Sequence, residues 1–475
     1  MKKLNSIVYT VMFLLTMCFL FMSGIQRKFK IFKIKPLSGA IEIPQIKKAN
    51  FENYYNFTFQ KSVEKNLEAV FGFKEPLIRL YHQYLWDFYN NYHSTEDLIG
   101  KDNWIFPKWH LNVPKYSPEL TEKFDKQALY LYLLSNILKE YNTQLLICFV
   151  PSKFEIYREY ANKDLGDYNN FNAIDYFCSK FDESGVNYIN FTQMLYAMKD
   201  TAVFNPYSQT GAHWSAIASV YAADSIFKRF ESLSGINMPK LKIGTPYLDK
   251  TRGQDNDLEL LLNLYRPMSQ QINYYANVDL ITDSTTIYPK MITIGDSHFG
   301  NIVDNVPLDR LFSSHPYWYY ANSIFFDKKH EYVKQVDIAE EFISSDYVLL
   351  LYNAYQTYNI HSDVLLRGIT SLCFDDEEID KGVEFFSQLD TIEIPAHRNK
   401  NNAIIYDRFY NVDGTHKIIT LSEEDNIAYI MRKMSNSEEW MSSLKKKAKT
   451  KNKTLEEVMY EDAIWVIQQE ENKKE

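Results

Sequence analysis

Residues 4–26 are mostly apolar and carry no charge, a stretch long enough to cross a bilayer. The small-residue site at Ser23-Gly24 is a poor cleavage signal, so the pattern predicts an uncleaved anchor. Residues 31–100 read as a polar, aromatic spacer, with a helical pattern over 59–92 broken near Gly72 and Pro76. From about Thr121 the rhythm changes. Phe124, Ala128, Leu131, Leu134 and Leu138 fall on one helical face, and 144–150 is a continuous apolar strand. Residues 174–181 are helical and 186–191 form a strand. Ile217, Val220, Ala223, Phe227 and Phe230 line a helix over 215–230. Strands recur at 291–294, 323–326 and 347–352. Strands alternating with helices predict an α/β fold, a mostly parallel sheet with helices on both faces.

The alternation lapses between Gly235 and Tyr288, an irregular insertion holding one helix over 257–264. It could be a lid, an acceptor-binding loop or packing. Residues 380–421 look β-rich. Three short helices follow, with capping-box starts at Ser422-x-x-Asp425, Ser435-x-x-Glu438 and Thr454-x-x-Glu457. These shifts predict four segments: an anchor over 1–30, a spacer over 31–100, an α/β domain over 101–380, and a β-rich and helical module over 381–475.

Composition narrows this little. A chain of 475 residues can bury a large core in more than one folded unit. Its net charge of −9 argues against a general nucleic-acid role. The basic run 445–453 is a solvated face or a contact for acidic lipid or polymer. Aromatics are dense, with 36 Tyr and 31 Phe. They build a core in place of smaller apolar residues, or offer platforms for sugar rings, as His315-Pro316-Tyr317-Trp318-Tyr319-Tyr320 could. The four cysteines, Cys18, Cys148, Cys178 and Cys373, show no metal or disulfide spacing and read as small buried hydrophobes. No metal and no cofactor is expected.

The candidate chemistry centres on residues 291–301. The apolar run Met291-Ile292-Thr293-Ile294 breaks at Gly295-Asp296-Ser297, and Phe299 onward can open a helix. A serine on such a turn stands above the sheet edge, near N–H groups that can stabilise an oxyanion. A nucleophilic serine needs a base. Of ten histidines, His213 is best placed, in Thr210-Gly211-Ala212-His213-Trp214-Ser215 just before a helix.

These motifs, in this order, resemble the SGNH-hydrolase-like domain of the alginate O-acetyltransferase family. The carriers are Gly100-Lys101-Asp102-Asn103-Trp104-Ile105-Phe106, Val150-Pro151-Ser152-Lys153 after a strand, His213-Trp214, and Gly295-Asp296-Ser297, behind one N-terminal membrane segment. The resemblance spans roughly residues 36–360. It implies a three-layer SGNH-like sheet and a membrane-anchored extracytoplasmic O-acyltransferase, with acetyl as the acyl group and an envelope or secreted polysaccharide as acceptor. Ser297 would be the nucleophile and His213 the base, with Gly295, Trp214 and Asn353 at the oxyanion or substrate. A membrane-bound O-acyltransferase would supply the acyl group.

One position departs from the family's D-x-H-W pattern: Gly211 stands where the family carries the aspartate that orients the imidazole. Three readings stay open. Another acceptor orients His213, the site is a Ser-His dyad, or the domain is a non-catalytic glycan-binding or scaffold module. Asp413-Gly414-Thr415-His416 matches the D-x-x-H of ordinary SGNH hydrolases, but also reads as a hairpin turn. Orientation is a further conflict. Arg27, Lys28, Lys30, Lys33 and Lys35 follow the apolar segment, against Lys2 and Lys3 before it. Flanking charge alone would place the large domain in the cytoplasm, and the resemblance places it outside.

Overall fold

The computed structural model describes residues 2–39, 43–89, 97–111, 117–161, 172–268 and 272–373, and in the C-terminal part 383, 431, 434, 438–451 and 453–471. Asp413 and His416 lie outside the described residues, as does nearly all of the segment expected to be β-rich. The chain forms two compact units, Met1–Val364 and Leu365–Glu475.

The first unit opens with helix α1 (Lys2–Phe29). Its stretch Ile7–Phe29 is long and apolar enough to cross a membrane by length and composition, and its apolar side chains are largely exposed. The spacer forms α2 (Phe51–Tyr55), α3 (Thr58–Ala69) and α4 (Lys74–Tyr89). The break at Gly72 has a cause: a Cβ there would stand 2.2 Å from the Ser23 carbonyl oxygen, so only glycine lets the arm meet α1. A short ribbon follows, β1 (Asp97–Ile99) against β2 (Ile105–Pro107).

The α/β core then runs α5 (Pro118–Glu140), β3 (Gln144–Val150), α6 (Lys153–Ile156), α7 (Ala173–Ser184), β4 (Tyr188–Asn190), α8 (Thr192–Thr201) and α9 (Ala216–Ser234). The insertion holds β5 (Lys240–Ile243), β6 (Tyr247–Lys250), α10 (Asp257–Leu261), β7 (Ile272–Tyr275) and β8 (Val278–Ile281). The core resumes with β9 (Met291–Gly295), α11 (His298–Asn305), β10 (Tyr317–Tyr319), β11 (Ser323–Phe325), α12 (Ile338–Ile343) and β12 (Tyr347–Asn353); α13 (Ser362–Cys373) spans the boundary between the units.

Six strands make the central sheet, in the order β11-β10-β9-β12-β3-β4. All neighbours are parallel except the edge pair β10–β11. The fold is thus the expected SGNH-like α/β arrangement. β3 and β12 have nearly every side chain buried, which is why they read as continuous apolar runs and not as alternating ones. Large rings fill this interior. Trp214, Trp318, Tyr347, Tyr352 and Phe149 are fully buried, so much of the aromatic excess is core. The insertion is more ordered than the sequence suggested. β5 pairs with β8 and β6 with β7, giving two antiparallel ribbons.

In the second unit, α14 (Glu438–Lys451) packs with α15 (Leu455–Glu471) through Leu444, Ala448, Val458 and Ala463. The Thr454 capping box forms: the Glu457 N–H donates to Thr454 Oγ1 at 3.2 Å, and the Thr454 N–H to Glu457 Oε2 at 2.7 Å. Lys447 pairs with Asp462 at 2.6 Å and Lys451 with Glu461 at 3.3 Å, so part of the basic run faces acidic groups of its own unit.

Candidate active site

Parallel strands present their carboxyl ends on one edge, where loops can gather functional groups. β9 ends there at Gly295, and α11 begins three residues later. A Cβ on Gly295 would lie 2.4 Å from the Leu351 carbonyl oxygen, so the close pairing of β9 and β12 requires glycine. Asp296 is fully buried and ties the strand exits together. Its carboxylate accepts from the His298 N–H at 2.9 Å and from the Asn353 N–H at 2.6 Å. Burial opposes its charge, but His298 and these donors hold its carboxyl below the usual range. Ser297 then sits at the helix start, on the elbow that the sequence indicated.

His213 arrives on the loop before α9, and that loop is held from beneath. Lys153 is completely buried. Its Nζ donates to the carbonyls of Ile105 at 2.6 Å, Gln209 at 2.9 Å and Gly211 at 2.8 Å. The ammonium thereby ties the ribbon strand β2 to the histidine loop. Trp214, expected near substrate, is fully buried. Its indole N–H donates to the His298 carbonyl at 2.8 Å, and its edge meets Phe191. It therefore shapes the site from behind and offers no surface to a ligand.

The outcome is a hydrogen-bonded line. Ser297 Oγ stands 2.7 Å from His213 Nε2, and Asp257 Oδ2 stands 2.7 Å from His213 Nδ1. Asp257 is the first residue of α10, inside the insertion. Its other oxygen accepts the N–H groups of Ala212 and Leu258, each at 2.8 Å. With a carboxylate on Nδ1, the imidazole carries its proton there and turns a bare Nε2 toward the serine hydroxyl.

Asp257 was not foreseen, and Gly211 explains why it is needed. A Cβ at position 211 would lie 2.5 Å from the Gln254 carbonyl oxygen and 2.7 Å from Ser208 Oγ. The strand of chain just before α10 occupies the space where a family aspartate would project. That strand is stitched to the histidine loop. Thr210 Oγ1 donates to the Asp255 carbonyl at 3.1 Å, and Ser208 Oγ donates to the same oxygen. The Ala216 N–H donates to Asp255 Oδ1 at 3.0 Å, and the Glu259 N–H to the Thr210 carbonyl at 3.2 Å. Asp255 is buried, which pushes its carboxyl up to about 6.

The spacer supports the same segment from outside. His82 Nδ1 donates to the Leu262 carbonyl at 2.8 Å, and the Arg266 N–H donates to Gln83 Oε1 at 2.8 Å. Asp87 pairs with Arg266 at 2.6 Å. Leu258 and Leu262 of this segment join Ile105 and Ala212 in a small apolar cluster, with Trp86 of α4 against it.

Around the serine stand neutral rings. His298 lies edge-on to His213 with ring centres 4.8 Å apart, and His110 stacks on His298 at 6.4 Å and on Tyr355 at 6.1 Å. Burial, and then the neighbouring histidines, push His110 down to about 3. His298 is likewise lowered by burial. Tyr320 stands beside the nucleophile turn, its N–H donating to the Gly295 carbonyl at 2.8 Å. Burial and the charge of Asp296 push this phenol up to about 12, so it keeps its proton. Asn353 makes a local turn: its Oδ1 accepts the N–H groups of Tyr355 at 2.8 Å and Gln356 at 3.1 Å, and its Nδ2 lies 3.1 Å from His298 Nδ1. Among the described residues, no group of three or more His, Cys, Asp or Glu side chains is arranged to hold a metal.

Residues 98–279 match the family of the SGNH hydrolase-like domain of acetyltransferase AlgX. The match includes His213 and Asp257 and ends before Ser297. Among solved structures, the O-acetyltransferase domain of Pseudomonas putida AlgJ is similar at 14% identity, over 61% of this chain and 99% of that one, with a TM-score of 0.41. Pseudomonas aeruginosa AlgX is similar at 11% identity, over 59% and 69%, with a TM-score of 0.42. Bacillus cereus PatB1 is similar at 15% identity, over 55% and 97%, with a TM-score of 0.34. No functionally curated protein matches the chain by sequence.

Proposed function

We propose that the chain is a membrane-anchored, extracytoplasmic polysaccharide O-acyltransferase that works through an acyl-serine. The observation that carries this reading is His213, within 2.7 Å of Ser297 on one side and of Asp257 on the other. The family match over the SGNH-like domain supports the same class.

In the first half-reaction, Ser297 Oγ attacks the acyl carbonyl and its proton passes to His213 Nε2. Asp257 stabilises the imidazolium without taking the proton. The carbonyl oxygen becomes an oxyanion beside the Ser297 N–H and the Tyr320 O–H. As the tetrahedral intermediate collapses, His213 returns the proton to the departing oxygen, leaving acyl-Ser297. In the second half-reaction a sugar hydroxyl gives its proton to His213 and takes the acyl group. His213 then reprotonates Ser297. Water in place of the sugar makes the same site an esterase. The acyl group is acetyl in this reading, handed over by a membrane-bound O-acyltransferase partner.

The non-catalytic reading rested on Gly211, and Asp257 removes that motive. A sulfonyl or phosphonyl fluoride, followed by intact-mass measurement, tests the proposal. One adduct per chain is expected, absent in Ser297→Ala and slowed by orders of magnitude in His213→Ala. An adduct elsewhere, or none, would leave a glycan-binding module as the better account.

A further inference from the structure

We infer that the β10–β11 hairpin is an acceptor-binding ledge, on which pyranose rings of the polysaccharide stack as one hydroxyl is presented to acyl-Ser297. This inference rests on the acyltransferase reading and adds where, and by what chemistry, the acceptor is held.

Register places the hairpin. β10 runs parallel to β9 with Tyr319 opposite Gly295, so the next residue, Tyr320, falls at the level of the nucleophile turn. The Tyr320 N–H donates to the Gly295 carbonyl at 2.8 Å, which fixes the hairpin tip against the elbow. From Ser297 the rings continue outward. Tyr320 is the first, held by its N–H against the strand end two residues before Ser297. Its ring meets Tyr319 edge-on at 4.6 Å, and Tyr319 meets Phe325 edge-on at 5.8 Å. The two ends of this series face solvent: Tyr320 is 37% exposed and Phe325 48%.

The backbone adds an independent sign. At the hairpin tip Tyr320 has φ 48° and Ala321 φ 51°. Hairpin tips with positive φ ordinarily carry Gly, Asn or Asp. An aromatic side chain there costs stability that a glycine would not, and such strain clusters at functional sites. Core residues occupy one face and the base of the other: Trp318 stacks on Phe342 at 5.8 Å and Ile324 is buried, while Tyr317, opposite Phe325, is buried against Phe299. Folding therefore explains Tyr317, Trp318 and Ile324, and leaves Tyr320 and Phe325 part-exposed at the outer end.

Sugar rings suit such a ledge. Their C–H faces are apolar and match an aromatic ring, while their edges remain hydroxylated and wet. Any acceptor must reach Ser297, and the ring series ends at Tyr320, beside the turn that carries it.

Phe325 touches no reacting atom, so its variants report on the ledge alone. The probes are cello-oligosaccharides, chito-oligosaccharides and β-linked uronate oligosaccharides of increasing length, titrated calorimetrically into the full chain in detergent. At least one class is expected to bind, more tightly as its length increases. Phe325→Ala should weaken that binding, and raise the acceptor KM, about three- to tenfold, the scale of one aromatic stacking contact. Phe325→Trp should restore both. Hydrolysis of a small activated ester should be unchanged in either variant. Equal loss of ester hydrolysis and binding in Phe325→Ala would make the residue structural and overturn the ledge. So would unchanged binding in that variant, or no binding by all three classes while Ser297 still acylates. Oligosaccharide binding without any Ser297 adduct would uphold the ledge and sink the acyltransferase reading instead.

Discussion

Asp257 lies 44 residues beyond His213 in the chain, yet its carboxylate stands 2.7 Å from the imidazole Nδ1. The resemblance read from the sequence implied an aspartate two residues before the histidine, on the same loop. Here the loop has a glycine at that place, and a separate element brings the charge. Asp257→Asn should therefore behave as the loss of a triad aspartate. Acylation of Ser297 should fall by about three to four orders of magnitude at neutral pH with the fold intact, because the amide no longer holds the imidazole in the productive tautomer. Single-turnover labelling and thermal melting check the two halves of this statement.

Gly211→Asp is the converse experiment. A new Cβ would meet the Gln254 carbonyl at 2.5 Å, so the segment carrying Asp257 must move to admit it. The variant should lose stability and activity together, and Gly211→Asp in the Asp257→Asn background should not restore the rate. Recovery of acylation in the double variant would mean that the two positions are interchangeable.

Tyr320→Phe removes one hydroxyl beside Ser297. If that hydroxyl supports the oxyanion, kcat for ester hydrolysis should drop about a hundredfold with little change in KM, the usual loss for one such donor. A change confined to KM would assign the hydroxyl to substrate binding.

Lys153→Met takes the ammonium from beneath the histidine loop. The buried Ile105 and Gly211 carbonyls lose this donor, while the Gln209 carbonyl keeps the Ile105 N–H, and each unsatisfied buried polar group costs about 1–3 kcal/mol. The variant should unfold at markedly lower urea concentration. Its residual folded fraction should acylate slowly, since the Gly211 carbonyl is two residues from His213.

How far all this was legible depends on whether the information was local. The elbow at Ser297 was readable because an apolar, β-branched run stops at Gly295 and a helix begins after the turn. His213 was readable because a strong helical stripe follows it. Asp257 was not, since its partner is fixed only when the insertion folds against the loop, and no spacing records that. Half of the insertion carried a missed signal: Lys240-Leu241-Lys242-Ile243 alternates in the way its half-exposed strand requires. Tyr247–Lys250 is wholly exposed and had no such signal. Tyr320 was hidden in an aromatic run in which Tyr317 and Trp318 are core.

Acid should destabilise the first unit through His110. Its folded-state value of about 3 lies below the ordinary 6.5, so between those limits the unfolded chain binds more protons and stability rises with pH. Asp255 works the other way. Its folded-state value of about 6 lies above the ordinary 3.8, so its protonation favours the folded state as pH falls through that window. His110→Gln should flatten the loss of stability between pH 6 and 4, and Asp255→Asn should steepen it. Urea melts across that range give both slopes.

The side of the membrane is also measurable. Protease added to intact cells should digest the large unit and spare the apolar anchor. Full protection until lysis would instead match the orientation that Arg27, Lys28, Lys30, Lys33 and Lys35 favour.

The grip of α4 on residues 262–266 bears on how such a chain can be cut. Trimming a tethered enzyme to its globular part is the ordinary route to a soluble fragment. A fragment beginning at residue 97 would keep the central sheet, Ser297 and His213. It would discard His82, Gln83 and Asp87, which brace the segment just past Asp257. The boundary that looks natural from the sheet runs through the support of Asp257, the carboxylate on His213. A silent fragment would then report on the scissors and not on the site, and one retaining the arm from residue 74 is the fair comparison.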